Sequence, residues 1–161
     1  MVKTKTVKPE ELIAKLAEDL LQDLQVVAEV KVSEEDGAYQ VKILPREEDD
    51  VPLLIGYHGE TVSSIQIILG LLVFKQVGEW VKLVVDVADY RDKRAAQLKA
   101  MADSFAAQAL STGQTIYLPP LSPAERRVIH LSLEGREDVE SFSEGEGQNR
   151  RLAIKPKVAN P

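Results

Sequence analysis

The stretch Ile55-Gly56-Tyr57-His58-Gly59-Glu60-Thr61 decides how the first half of this chain folds. A short apolar run precedes its two glycines, and a long apolar segment follows them. A glycine has no Cβ, so the chain takes positive φ there and a partner can approach the main chain. The N–H groups opening the next helix then face that partner, and unpaired donors at a helix start favour an anion such as phosphate. The plain alternative is a tight turn between two helices with no ligand.

Upstream, Val51-Pro52-Leu53-Leu54-Ile55 suffices for one helical turn. Downstream, a helix opens at Glu60 or Thr61, and Val62, Ile65, Ile67, Ile68, Leu69, Leu71, Leu72, Val73 and Phe74 make it apolar on most sides. Such a helix is expected to be largely buried against a sheet. Val26, Ala28, Val30 and Val32 alternate with Glu29 and Lys31; a turn follows over Ser33 to Gly37, and Tyr39, Val41 and Ile43 then alternate with Gln40 and Lys42. That pattern predicts a hairpin with one buried face. Trp80 to Val87 reads as a third strand, with Trp80 packed at its start. Pro9, Glu10 and Glu11 in a first turn, then Leu12, Ile13, Leu16, Leu20 and Leu24, predict a helix over 9–24. Residues 1–8 read as a disordered lead.

The second half starts near Tyr90. A helix is expected over 91–110, with Ala95, Leu98, Met101 or Ala102, Phe105 and Ala109 as its stripe and Gly113 just past its end. A short strand, Thr115 to Leu118, stops at Pro119-Pro120. Ser122-Pro123-Ala124-Glu125 is a capping box with proline at the first helical position. Its helix, to about Leu133, carries Arg126, Arg127 and His130. Strands at 139–143 and 151–154 pair around an acidic, glycine-bearing loop that is read as solvated rather than cation-binding. The fold class is α+β: two small domains, α-β-β-α-α-β over 9–89 and α-β-α-β-β over 90–156, with a tail at 157–161.

The chain has 161 residues, 44% of them hydrophobic and 29% charged, a soluble globular composition. Zero cysteines exclude disulfides, thiol catalysis and cysteine-ligated zinc. No stretch is expected to reach membrane-spanning length, since Gln66 and Lys75 interrupt the most apolar helix. With no signal-type segment behind Lys3, Lys5 and Lys8, the expected location is cytoplasmic, without membrane insertion. The net charge of −6 is unevenly placed. Residues 1–90 carry 9 basic against 17 acidic groups, and residues 91–161 carry 11 against 9. Every arginine but Arg46 lies in the second part, and arginine is the bidentate reader of phosphate.

With Gly56-Tyr57-His58-Gly59 between a short and a long helix, the first half resembles a KH domain. Arg126 and His130, three residues between them on a capped helix, resemble the Arg-x-x-x-His pair of the R-3-H domain. The two in this order resemble the bacterial Jag family, also called SpoIIIJ-associated or KhpB/EloR-type RNA-binding proteins. Leu54-Ile55-Gly56, Gly59-Glu60-Thr61, Val85-Asp86-Val87 with Tyr90-Arg91, Glu125 to His130, and Ser143 to Glu146 with Arg150-Arg151 carry the likeness across most of 9–156. It implies non-catalytic binding of single-stranded RNA, or single-stranded DNA, with a regulatory role in post-transcriptional or cell-envelope control. Family members usually carry a basic residue between the glycines, where this chain has Tyr57-His58, and many carry a further N-terminal domain.

The nucleic-acid-binding set expected from all this is Gly56, Tyr57, His58, Gly59, Arg91, Arg94, Arg126, Arg127, His130, Arg150 and Arg151. Tyr57 is suited to stacking on a base, and His58 to donating to phosphate when protonated. Arg126 and His130 share a helix face, with a salt-bridged surface as the plainer reading. Arg150 and Arg151 open a strand and point to opposite faces, so only one can join Arg126. Arg91 and Arg94 are one turn apart, a pattern that also fits a solvated face. No cofactor, metal or catalytic residue is expected, and cleavage of RNA through His130 is the weakest reading. The competing function is a protein-interaction adaptor whose acidic first half docks a protein partner.

Overall fold

A computed structural model describes residues 8–157. Apart from Lys8 and Lys157, the expected lead and tail lie outside the described residues. The chain divides into two compact units, Met1–Arg91 and Asp92–Pro161.

In the first unit the order is α1 (Pro9–Asp23), β1 (Ala28–Glu35), β2 (Ala38–Pro45), α2 (Asp50–Ile55), a single 3-10 turn (Tyr57–Gly59), α3 (Glu60–Val77) and β3 (Leu83–Val87). The sheet order is β1-β2-β3, with β2 antiparallel to β1 and parallel to β3. Ile13, Ala17 and Leu21 of α1 and Val62, Ile65, Leu69 and Val73 of α3 form one core with Val41, Ile43, Val85 and Val87 of the sheet. The hairpin turn is tighter than the five residues expected from Ser33 to Gly37. Glu35 pairs with Ala38, leaving only Asp36 (φ 51°) and Gly37 (φ 72°) between the strands. Two positive-φ residues match the right-handed twist of a hairpin, and Asp-Gly adopts them readily.

Three expectations for this unit are corrected. Only one side of α3 is buried: Ile67 (64% exposed), Ile68 and Leu71 face outward. Two helices share one face of a three-stranded sheet, so no second layer covers the rest of α3 among the described residues. Trp80 does not begin a strand. It lies 65% exposed in the connection before β3, its ring stacked on Phe74 at 4.7 Å and 20°. Finally, the helical run Asp50–Val77 is long and apolar enough to cross a membrane by length and composition alone, a test that the core helix of a soluble protein also passes. The stretch that reaches this is α3 itself, because Gln66 and Lys75 are too few to offset its Ile, Leu, Val and Phe residues.

The bend fixes why glycine stands where it does. Gly56 (φ 71°) ends α2, and a Cβ there would collide with Thr61 Oγ1. Gly59 (φ 82°) precedes α3, and a Cβ there would sit 2.9 Å from Cε1 of Tyr90.

The second unit contains α4 (Tyr90–Thr112, opening on the last residues of the first unit), β4 (Ile116–Tyr117), α5 (Pro123–Leu133), β5 (Val139–Glu144) and β6 (Arg151–Pro156). Its antiparallel sheet is ordered β4-β6-β5. Leu98, Ala102, Ala106 and Ala109 form the buried stripe of α4, while Ala95, expected there, is exposed. They pack with Ile129 and Leu133 of α5 and with Val139, Leu152 and Ile154 of the sheet. Just before β5, Arg136 grips Asp138 through Nε–Oδ1 at 2.9 Å and Nη2–Oδ2 at 2.7 Å.

Two consequences can be measured. Gly59→Ala should lower unfolding stability by about 1–3 kcal/mol through overpacking on Tyr90 and positive-φ strain, while Tyr57→Ala should leave the thermal midpoint nearly unchanged. Equal midpoints for both variants would show that the Tyr90 contact does not constrain the loop. The Arg136 hydrogen bonds hold the Asp138 carboxyl at about 2, down from 3.8. A carboxyl depressed by folding adds stability that is complete above its ordinary value and is lost as pH falls through the folded one. Unfolding titrations between about pH 5 and pH 2 should therefore show an acid-sensitive component that Asp138→Asn removes.

Candidate nucleic-acid interface

The capping box at the start of α5 is complete. Ser122 Oγ accepts from Glu125 N–H at 3.2 Å, and Glu125 Oε2 accepts from Ser122 N–H at 2.8 Å. The other carboxylate oxygen, Oε1, accepts from Arg94 Nε at 2.7 Å and Nη2 at 2.6 Å. Glu125 is 6% exposed. Helical spacing then places Ile129 and Leu133 on the same buried face as Glu125.

Arg126, Arg127 and His130 occupy the remaining faces. Arg126 is half-buried, its Nη1 donating to the Leu121 carbonyl at 2.6 Å, which folds the guanidinium back over the loop before the helix. Arg127 is exposed, and no acidic partner is seen for it among the described residues. His130 is exposed, with Nδ1 and Ser141 Oγ of β5 2.7 Å apart. That bond orients the ring and does not use Nε2. Glu125, the one carboxylate adjacent in sequence, is fully occupied by Arg94 and its own cap, so it does not compete with a phosphate for Arg126 or Arg127. A fixed cation, a second cation and an oriented imidazole on one short helix suit a phosphodiester.

The other expected residues fall elsewhere. Arg91 is exposed but held: Nε donates to the Val85 carbonyl at 3.0 Å and Nη2 to Gln66 Oε1 at 3.0 Å, while Gln66 also accepts from Val85 N–H. It ties the end of β3 to α3. Arg94 is spent on Glu125. Of the expected solvated pair, Arg91 remains exposed, whereas Arg94 is drawn inward by the buried Glu125 carboxylate. Arg150 is exposed ahead of β6. Arg151 pairs in register with Glu144 and donates to the Gln148 and Arg150 carbonyls. Strand alternation puts Arg151 on the sheet face away from α5, so Arg150 is the one nearer in kind to Arg126. Along β6, Arg151 stands about 10 Å from Ile154, the partner of Ser141, and Arg150 one residue further.

In the first unit Tyr57 is 67% exposed and His58 half-buried, their rings edge-on with centroids 4.0 Å apart. Gly59 N–H and Glu60 N–H turn back to the Gly56 and Tyr57 carbonyls, and no side chain caps α3. The sequence pointed to Arg94 as a ligand contact rather than as an anchor, and it gave no hint of Ser141. The signal for the first was Glu125, a carboxylate on the apolar face of its helix; for Ser141 no local signal exists, since its partner is eleven residues away. Among the described residues no cluster of His, Asp and Glu could hold a metal.

Residues 10–87 match the family model of the KhpA/KhpB KH domain, and residues 96–156 match that of the R-3-H domain. Similar proteins include three described as RNA-binding protein KhpB. The one from Lactiplantibacillus plantarum is 37% identical over 102 residues, 63% of this chain and 32% of that protein. The one from Bacillus subtilis is 36% identical over 107 residues, 65% of this chain and 51% of that protein. The one from Clostridium symbiosum is 33% identical over 112 residues, 70% of this chain and 50% of that protein. The chain thus spans between about a third and a half of the length of these relatives.

Glu125→Ala should destabilise the second unit by about 2–3 kcal/mol, combining a lost cap with an unpaired, partly buried Arg94. Glu134→Ala, on the exposed end of α5, should change stability by no more than about 0.5 kcal/mol. Denaturant unfolding of the two variants side by side checks this, and equal losses would remove the case for a special Glu125.

Proposed function

The chain carries a KhpA/KhpB-type KH domain followed by an R-3-H domain, the pairing of the KhpB family, and we propose that it binds single-stranded RNA without altering it chemically. The observation that carries the reading is the α5 surface: Arg126, Arg127 and His130 side by side, with the neighbouring carboxylate saturated by Arg94. This surface supplies electrostatic affinity, with Arg150 adding to it. The Gly56–Gly59 loop, in a half of the chain with an excess of eight acidic groups, positions the strand and offers Tyr57 to a base. The relatives are bacterial and are described as RNA-binding, which supports the RNA reading; a cytoplasmic setting and a regulatory role are part of the same proposal.

A second reading is favoured by α3. Ile67, Leu71 and Trp80 are exposed apolar side chains on the acidic unit, the kind of surface that takes a protein partner. On that reading the first unit is an adaptor and the second alone holds RNA.

Fluorescence anisotropy with a single-stranded RNA of about 20 nucleotides tests the leading reading. Affinity should fall with salt, with a slope of about −0.7 per phosphate contacted. Arg127→Ala should weaken binding about three- to tenfold and flatten the slope by about one contact. Tyr57→Asp with His58→Asp is the appropriate loop variant, since changes at Gly56 or Gly59 disturb packing against Thr61 and Tyr90. Absence of binding at about 50 mM salt, where phosphate contacts are strong, would overturn the proposal. An Ile67→Glu variant with unchanged RNA affinity but lost association with a protein would favour the adaptor.

A further inference from the structure

The sheet of the second unit has one face packed by helices and one that is not. Ile116, Leu152, Ile154 and Val139 belong to the helix-side core. By alternation along the ladder, Tyr117, Arg151, Ala153, Lys155, Glu140, Phe142 and Glu144 stand on the other face, with Tyr117 opposite Ala153 and Ala153 opposite Phe142. Tyr117 Oη donates to Glu144 Oε2 at 2.7 Å. Tyr117 lies on β4 and Glu144 on β5, the two strands that flank β6. The phenol ring must therefore cross β6, and Ala153 beneath it is wholly buried although it is no part of the helix-side core. Tyr117 nevertheless remains 54% exposed. A ring laid over a small residue, tethered at its hydroxyl and open on its outer side, is pre-organised for a planar ligand.

The charges on this face say which planar ligand. Lys155 pairs with Glu140 at 2.6 Å and lies 5.6 Å over the Phe142 ring, while Arg151 is in register with Glu144. Cations and carboxylates balance, so the face offers phosphate little. It offers an uncharged aromatic surface, and single-stranded sites commonly join such stacking surfaces to cationic tracks for the backbone. That track lies on the helix side of the same sheet: Ser141, which holds His130, precedes Phe142 in β5 and points to the opposite face, and β5 is an edge strand, so a single strand reaches both faces by passing around it.

We propose that the open sheet face of the second unit is a stacking platform, on which an unpaired nucleobase lies against Tyr117 with Phe142 beside it. The platform rests on the RNA-binding reading above and supplies what the α5 cations cannot, a dependence on bases. Because Glu144 accepts its hydroxyl proton, the Tyr117 phenol ionises above its ordinary range and stays a donor.

The test uses the full chain with two probes, a single-stranded oligoadenylate of about 12 nucleotides and a strand of equal length with abasic nucleotides, at two salt concentrations. Tyr117→Leu should weaken binding of the base-bearing strand about tenfold, leave the abasic strand unaffected and keep the salt dependence of the wild type. Tyr117→Phe should keep most of the affinity, since the ring remains. Phe142→Leu should show a smaller loss of the same base-dependent kind, and thermal melting confirms that each variant is folded. Unchanged base preference in both Leu variants would remove the platform and leave the RNA reading standing. Equal loss of both strands in Tyr117→Leu would also overturn stacking. Wild-type protein that binds neither strand would overturn the RNA reading and the platform together.

Discussion

What the second unit presents to a phosphate depends on where one carboxylate points. Glu125 sits directly before Arg126 and Arg127, and on an ordinary solvated helix it would neutralise one of them. Here its two oxygens are committed, one to the Ser122 N–H that closes the capping box and the other to the Arg94 fork. The arrangement fastens the start of α5 to α4 and leaves the α5 surface cationic. On the proposed reading Arg94 serves the interface by engaging the carboxylate that would compete for Arg126 and Arg127. Such a pair is costly to desolvate and costly to break, which ties the electrostatics of the surface to the stability of the unit.

The loop of the first unit follows a different constraint. Its glycines are required by Thr61 and Tyr90 pressing against them, whatever ligand approaches. A phosphate-binding role and a packing role make the same demand at these two positions, so the glycines alone do not distinguish them. The side chains between the glycines do, because Tyr57 is exposed and His58 is only half-buried. On the proposed reading the first unit positions the strand. Its α3 keeps one apolar side on the sheet and turns another outward.

How much of this was legible depended on the range of the interactions. The Ser122–Glu125 box, the alternation of β1 and β2 and the pairing of β5 with β6 are decided within short stretches, and they stand in the structure much as the residues suggest. The order of elements was also readable, because apolar periodicity separates helix from strand. What escaped were outcomes set by distant partners. Arg91 reaches back to Gln66 and Val85, Arg94 reaches forward to Glu125, and Tyr117 meets Glu144 across an intervening strand. The burial of α3 was misjudged because hydrophobicity says that a surface wants cover, whereas only topology says whether any element is available to cover it.

The parallel pairing of β2 with β3 has a bearing on how the first unit assembles. Tyr39 pairs with Leu83 and Ile43 with Val87, so about 44 residues, including α2, the glycine turn and α3, separate positions that touch. The hairpin of β1 and β2 closes over two residues and can form early, but β2 keeps an unpaired edge until that long crossover is in place. A chain leaving the ribosome would expose the edge for the whole time needed to synthesise α3. Lys42, exposed on β2 itself, and the acidic residues Glu29, Glu34 and Glu35 on the neighbouring strand then act as gatekeepers against intermolecular pairing during that interval.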